Sequence, residues 1–236
     1  MSTKIDYVHE TINPLGWGCY GPGGTAEKPN VCPYCYAKRI SQRKLRDCDL
    51  CRRFVPHAHF EQLEWLQAWK MPKTIFVQSM GDLFGDWVCD DRMMTVLNAC
   101  KAASQHKYLF LTKNPKRYEQ LDYYMPPNMW FGWSQTKPLG PGPLFSTHHS
   151  MQTFVSLEPL LEPFKEFHIR GIGWCIVGQE TGNRKGRITP EPEWISNIVD
   201  ASRNAGVPVF LKNNLIPVMG EEYVEDNQQL PWEVLG

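Results

Sequence analysis

Six short apolar runs, each closed at once by polar or small residues, constrain the fold of this chain more than any other feature: Thr74–Val77, Tyr108–Leu111, Trp130–Trp133, Thr153–Val155, Trp174–Val177 and Val207–Leu211. The closing tags are QSMGD, TKN, SQT, SLEP, GQETG and KNN respectively. Continuous β-branched and aromatic runs suit strands buried on both faces. The helix-like segments between them, Asp91–Ser104 and Glu193–Ala205, point to a parallel sheet covered by helices. With a further strand inside residues 5–18, the pattern predicts an α/β fold, a partial or complete TIM-like (β/α) barrel with a Cys-rich loop near its N-terminus. In such barrels functional groups gather at the C-terminal ends of the strands, where the polar tags fall. An open doubly wound sheet is the rival, but no well-placed G-x-G-x-x-G follows the first strand. At 236 residues the chain suits a single barrel domain over 1–236, with a Cys-rich insertion at about 19–59.

That insertion holds five of the eight cysteines, in the order one, pair, pair: Cys19, then Cys32 and Cys35, then Cys48 and Cys51. A two-residue gap can turn two sulfurs toward one soft metal centre, in zinc and iron–sulfur sites alike. No apolar run is long enough to span a bilayer, and the start, MSTKIDYVHE, lacks the features of a secretory signal, so the expected compartment is the cytoplasm, with no membrane partner. In that reducing setting clustered cysteines are metal ligands or catalytic groups rather than disulfides. Gly21, Pro22, Gly23 and Gly24 make an irregular loop after Cys19. The segment YAKRISQRKLRD after Cys35 has helix formers, with Tyr36, Ile40 and Arg43 on one face.

Spacing alone leaves the metal open. Cys32, Cys35, Cys48 and Cys51 are separated much as in a four-cysteine zinc site. Alternatively Cys48 and Cys51 join His57 and His59 in a small zinc site, hold part of a second cluster, or act as a redox pair; surface histidines in a Pro-containing turn are the bland alternative. Cys89, Cys100 and Cys175 fit best as buried apolar fillers.

The ordered motifs NPLGWGC, CPYCYA, FVPHAH, IFVQSMGDLF, LTKNPKR, WFGWSQ, FVSLEPLL, IVGQETG and GVPVFLKN, from Asn13 to Asn213, resemble the phage-type radical SAM-like proteins, a family of uncharacterised function in phages and bacteria. The resemblance implies a [4Fe–4S] cluster on Cys19, Cys32 and Cys35, its fourth iron open to the amino and carboxylate groups of S-adenosylmethionine. Tyr34 also resembles the radical SAM pattern. The departure is the first gap, twelve residues where the common motif has three, which a Gly-Pro-rich loop can close at little entropic cost. Ser79 and Asp82 stand where such enzymes receive the methionine amino group. Electron-donor and three-Cys-motif companion proteins are the implied partners.

Other strand-end residues extend the candidate site. Thr112, Lys113, Ser134, Gln135 and Gln179 suit ribose hydroxyls or the cofactor carboxylate, and Lys212 and Asn213 close the circuit. Glu158 and Glu180 are candidate catalytic carboxylates and also invite a general acid/base reading. Basic groups at Arg52, Arg53, Lys113, Lys116, Arg117, Arg184, Lys185 and Arg187, with Trp17, Tyr20, Tyr36, Trp87 and Trp133, suit a nucleotide or nucleic-acid substrate if they converge. Lysine plus arginine balances aspartate plus glutamate at 25 each, so net charge does not decide the matter. Three readings follow: a radical S-adenosylmethionine enzyme of unknown substrate, a zinc-stabilised nucleotide or nucleic-acid-binding module without redox chemistry, and, well behind, a hydrolase using Glu158 and Glu180.

Overall fold

A computed structural model describes residues 5–43, 47–121, 125–138, 151–164, 169 and 171–234. The chain divides into two compact units, Met1–Phe131 and Gly132–Gly236. Its strands belong to one seven-stranded sheet whose order follows the chain. A doubly wound sheet would reverse direction partway, whereas sequential order is that of a (β/α) barrel, complete or partial.

The first unit contains β1 (Glu10–Ile12), α1 (Tyr36–Arg43), α2 (Asp49–Arg52), α3 (Glu64–Ala68), β2 (Thr74–Val77), α4 (Asp90–Ala102) and β3 (Lys107–Thr112); β4 (Met129–Ser134) spans the division. Every residue of β2 is buried, as a strand covered on both faces requires. The pairs β1–β2 and β2–β3 are parallel, with Ile12 opposite Val77 and Val77 opposite Phe110. This register brings the loops after β1, β2 and β3 out at one edge. Helix α4 buries Met93, Val96, Leu97 and Cys100, one face at helical spacing, and carries Asp90 and Asp91 in its first turn and Lys101 in its last, matching the helix dipole. Phe84, Phe110, Tyr118 and Phe131 form an aromatic core, with the Phe110 and Phe131 rings stacked at 5.1 Å.

Two expectations need adjusting here. Helix α1 ends at Arg43, and residues 44–46 of the expected helix lie outside the described residues. Its buried face is Ala37 and Ser41, while Tyr36 is exposed, because Ala37 packs with Trp17 and Phe54. Cys89 is exposed at the N-cap of α4 rather than buried.

The second unit contains β5 (Gln152–Leu157), β6 (Trp174–Val177), α5 (Pro192–Asn204), β7 (Val209–Leu211), α6 (Ile216–Met219), α7 (Glu221–Glu225) and α8 (Pro231–Val234). Its pairs β5–β6 and β6–β7 are parallel, aligning Leu157, Val177 and Leu211. Helix α5 starts on Pro192, whose missing N–H costs nothing there, and buries Ile195, Ile198, Val199 and Ser202. It stops at Gly206 (φ 68°), where the Val207 N–H bonds to Ser202 O and the Gly206 N–H to Arg203 O, a Schellman closure that requires positive φ.

Candidate functional site

The segment after β1 that delivers Cys19 is fixed by the loop after β2. Gln78, buried and left-handed at φ 64°, turns its side chain back: its Oε1 accepts the Leu15 N–H at 3.0 Å and its Nε2 donates to Gly16 O at 2.8 Å. Asn13 Oδ1 accepts the Met80 N–H at 2.7 Å, and the Gly18 N–H donates to Met80 O at 3.1 Å. These two side chains satisfy buried backbone groups that no strand pairs, and so set the direction of Cys19. The sequence reading placed both inside quoted motifs, NPLGWGC and QSMGD, but gave neither a role, since a side chain that caps distant backbone has no local pattern.

The twelve residues after Cys19 close on themselves. Asn30 N–H donates to Tyr20 O at 2.6 Å, Asn30 Nδ2 to Pro22 O at 2.8 Å, and Gly24 N–H to Gly21 O at 2.9 Å. Gly21 stands at φ 79°, and a Cβ on it would lie 1.9 Å from Asn30 O, so glycine is required there. The closed loop returns Cys32 and Cys35 to Cys19. All three thiols are half-buried, Cys19 and Cys35 pack against one apolar cluster, and the charges of Cys32 and Cys35 act on Cys19. Burial first, then the nearby Asp82, pushes the Cys19 thiol up to about 12; burial also pushes Cys35 up. Cys19 Sγ accepts the Gly21 N–H at 3.3 Å and Cys35 Sγ the Lys38 N–H at 3.4 Å, contacts that stabilise thiolates.

Several predicted residues surround this group. Asp82 accepts the Phe84 N–H on Oδ1 and the Lys113 N–H on Oδ2, each at 3.0 Å, and burial raises its carboxyl above the ordinary range. Thr112 is buried and hydrogen-bonds to that carboxylate. Lys113 Nζ lies 5.9 Å from the centre of the Tyr34 ring, and its charge acts on Cys35. Ser79 O accepts the Tyr36 hydroxyl, and its own hydroxyl donates to Asn13 Oδ1 at 3.4 Å.

Cys48, Cys51, His57 and His59 form a separate group that could hold a metal ion. Their ligand atoms all lie within 4.8 Å of one another. Cys48 caps α2 and Cys51 lies one turn on, so both sulfurs face the same side. His57 Nε2 is 3.1 Å from Cys48 Sγ and 3.5 Å from Cys51 Sγ, and His59 Nε2 is 3.6 Å from Cys51 Sγ. The far nitrogens have partners of their own: His57 Nδ1 meets Val55 O at 2.7 Å and His59 Nδ1 meets Glu61 Oε1 at 2.6 Å. Burial opposes ionisation of Cys48, but bonds from the Cys51 N–H, His59 and the Cys51 thiol together bring it down to about 6. Glu61 was missed, although its place two residues after His59 was a usable signal.

The second unit collects another set of predicted residues. Lys212 Nζ holds both oxygens of Glu158, at 2.7 and 2.9 Å, and Ser134 Oγ donates to Glu158 O at 3.2 Å. Glu180, buried, is forked by Arg184 at 2.7 and 2.8 Å. Gln179 is framed by Asn214, which the sequence reading missed, and its Oε1 accepts from Arg187 at 2.7 Å. Asn213 Oδ1 accepts from Gln228 at 2.7 Å. The two carboxylates singled out for catalysis are thus each held by a cation of their own. The basic groups are engaged within the protein in a similar way: Arg117 is buried, donating to Gly85 O, Val88 O and Asp90, while Arg52 and Arg53 pair with Asp49.

A parallel α/β chain with a group of two thiols and two imidazoles that could hold a metal ion is the class these features define. Residues 2–221 match a family described as a protein of unknown function, DUF5131, and the chain belongs to that family. No curated protein and no solved structure matches it. No helix among the described residues is long and apolar enough to cross a membrane.

Proposed function

We propose that this chain is a radical S-adenosylmethionine enzyme whose [4Fe–4S] cluster is held by Cys19, Cys32 and Cys35. One observation carries the reading: Cys48 and Cys51 lie with His57 and His59, a group that leaves out Cys32 and Cys35, and the charges of Cys32 and Cys35 act on Cys19. Three thiolates leave one iron of a cubane without a protein ligand.

The donor set fits such a group. The thiols are half-buried, Cys19 and Cys35 share an apolar wall with Trp17 and Met80, and each of those two accepts a backbone N–H, the kind of bond that tunes cluster sulfurs. Burial keeps the Cys19 thiol protonated in the metal-free protein, so metal binding there would have to release its proton. Cys19, Cys32 and Cys35 would hold the cluster, which when bound and reduced by an electron-donor protein would supply one-electron reductive chemistry to S-adenosylmethionine. The protein's own residues do the positioning. Asp82 and the carbonyls of its loop offer acceptors for an amino group, and Lys113, beside Tyr34, offers a cation for a carboxylate. A cleft of ≈ 370 Å³ lined by Tyr20, Trp87, Asp86, Arg92 and His57 supports a planar, hydrogen-bonding substrate of the nucleotide kind. Its two aromatic rings meet edge to face at 5.6 Å.

The test is anaerobic reconstitution, with iron, sulfide and zinc analysis and electron paramagnetic resonance of the reduced protein with and without S-adenosylmethionine. Expected are about four irons per chain, lost on Cys19→Ala, Cys32→Ala or Cys35→Ala, and a spectrum altered by the cofactor. Iron that fails to bind, or that survives these substitutions, overturns the reading. The Cys48, Cys51, His57 and His59 group favours a second reading, a zinc-stabilised binding module without redox chemistry, and zinc without iron is the result that would select it.

A further inference from the structure

We infer that Cys48, Cys51, His57 and His59 bind one zinc ion as a closed structural site, and that this ion clamps residues 55–59 onto the backbone that presents Cys19. The ion site stands on its own geometry; its consequence for cluster loading rests on the reading above.

The donor geometry is that of a single tetrahedral ion. Zinc–sulfur bonds of about 2.3 Å and zinc–nitrogen bonds of about 2.0 Å, opened to the tetrahedral angle, separate S from N by about 3.5 Å. The observed separations of 3.1, 3.5 and 3.6 Å bracket that edge. A cubane cluster, with one thiolate on each iron, would spread its ligands wider. Both histidines present Nε2 and commit Nδ1 to an acceptor, Val55 O or Glu61, which fixes the tautomer and ring plane as metal-bound histidines require. Two thiolates and two neutral imidazoles suit zinc, and four protein ligands leave no position for substrate. Cys51 is buried, and both cysteines pack with Trp17, Phe54 and Met80.

The clamp follows from what the ligand loop touches. His57 N–H donates to Leu15 O at 3.3 Å and His59 N–H to Pro14 O at 2.7 Å, so the two histidine positions are stitched to the segment leading to Cys19. The two glycines of NPLGWG make room for this contact: a Cβ on Gly16 would lie 2.5 Å from the His57 ring, and one on Gly18 would lie 2.3 Å from the backbone of Val55 and Pro56. The ligand loop has little regular structure of its own. Its helix, α2, has four residues, and Phe54 adopts a left-handed φ of 58° that a bulky residue holds only when its surroundings impose it. A four-ligand ion supplies that constraint.

The test uses cobalt(II) as a spectroscopic replacement for zinc, and hydrogen exchange. In the variant C19A/C32A/C35A, which can hold no cluster, one cobalt per chain should bind with the tetrahedral two-sulfur, two-nitrogen absorption of the wild type. Loss of the metal in that variant, or a four-sulfur spectrum, overturns the site. With zinc chelated from the same variant, the backbone amides of Leu15 to Cys19 should exchange at least about tenfold faster, recovering when zinc is restored. Unchanged exchange overturns the clamp. The same comparison on wild-type protein prepared without iron guards against misfolding of the triple variant. A failed cluster reading would appear instead as absent iron in the wild type, with both of these readouts intact.

Discussion

Replacing Gly18 by alanine isolates the contact between the Cys19 segment and the histidine loop, and Gly23→Ala within the same Cys-rich region is its control. At Gly18 the new Cβ would stand 2.3 Å from Pro56 N, 2.3 Å from Val55 C and 2.7 Å from Val55 O. All three are backbone atoms, so no side chain can rotate away. Restoring ordinary contact near 3.5 Å needs a shift of about 1 Å. That shift strains or breaks the His57–Leu15 and His59–Pro14 hydrogen bonds. Overpacking at about 1–3 kcal/mol, with two weakened backbone bonds at about 0.5–1.5 kcal/mol each, gives a loss of about 3 kcal/mol. For a chain of this length that corresponds to a fall in Tm of about 6–12 °C. Gly23, by contrast, has nothing within 4 Å of a Cβ and pays only for its φ of 66°. The left-handed cost of about 1–2 kcal/mol, less the stiffening of the unfolded chain, leaves about 1 kcal/mol or under, a fall of about 1–4 °C. Calorimetry of the zinc-loaded, iron-free protein measures both. A Gly18→Ala protein that melts within about 2 °C of wild type, or above Gly23→Ala, would refute the contact.

Three further outcomes follow from the same geometry. Glu61→Ala removes the acceptor of His59 Nδ1 and should weaken zinc binding by about tenfold, the low end for an outer partner because Glu61 is mostly exposed; competition with a chromophoric chelator reads it, and unchanged affinity counts against the site. Lys212→Met strands the Glu158 carboxylate and should cost about 2 kcal/mol, below the fully buried case because both side chains keep some exposure. Adding Glu158→Gln should recover most of that loss in urea unfolding, and a single variant as stable as wild type would sink the pairing. At pH 8 an alkylating reagent should modify Cys89, which is exposed, and spare Cys100 and Cys175: burial pushes both thiols up, Cys175 to about 12, so almost no thiolate exists at that pH, and peptide mapping that finds Cys175 labelled natively would contradict its burial.

Sequence alone located the strands well for a physical reason. Thr74–Val77 and Trp174–Val177 are the observed bounds of β2 and β6, because a strand buried on both faces must be apolar throughout and must end where the chain meets polar groups. The helix-like segments Asp91–Ser104 and Glu193–Ala205 found α4 and α5 to within one or two residues at each end, because helix ends fray. The partition of the cysteines was not legible. Cys48 is as far from Cys35 as Cys32 is from Cys19, so spacing weighed a four-cysteine site against a two-cysteine, two-histidine one and could not choose. The deciding contacts are backbone to backbone across about forty residues, from Leu15 to His57 and from Pro14 to His59, and such contacts leave no side-chain pattern. Their trace in the sequence is negative: Gly16 and Gly18 are small because another segment's backbone and a histidine ring occupy the space.

That negative trace also bears on how a long first gap fits the proposed three-thiol site. In a short motif, helix geometry alone would set the distance between the first and second cysteines. Here the loop from Tyr20 to Asn30 closes by its own turns and returns Cys32, and its direct hold on Cys19 is the Gly21 N–H at 3.3 Å from the sulfur. Cys19 takes its position from its other side, where Gln78, Asn13 and the histidine loop hold residues 13–18. A site assembled this way needs its outer supports in place before its ligands can converge. Metal binding at Cys48, Cys51, His57 and His59 therefore favours metal binding at Cys19, Cys32 and Cys35 in the proposed scheme. The three thiols contribute no ligand to the other group, so the coupling passes through the shared backbone and, by linkage, acts equally on both sites.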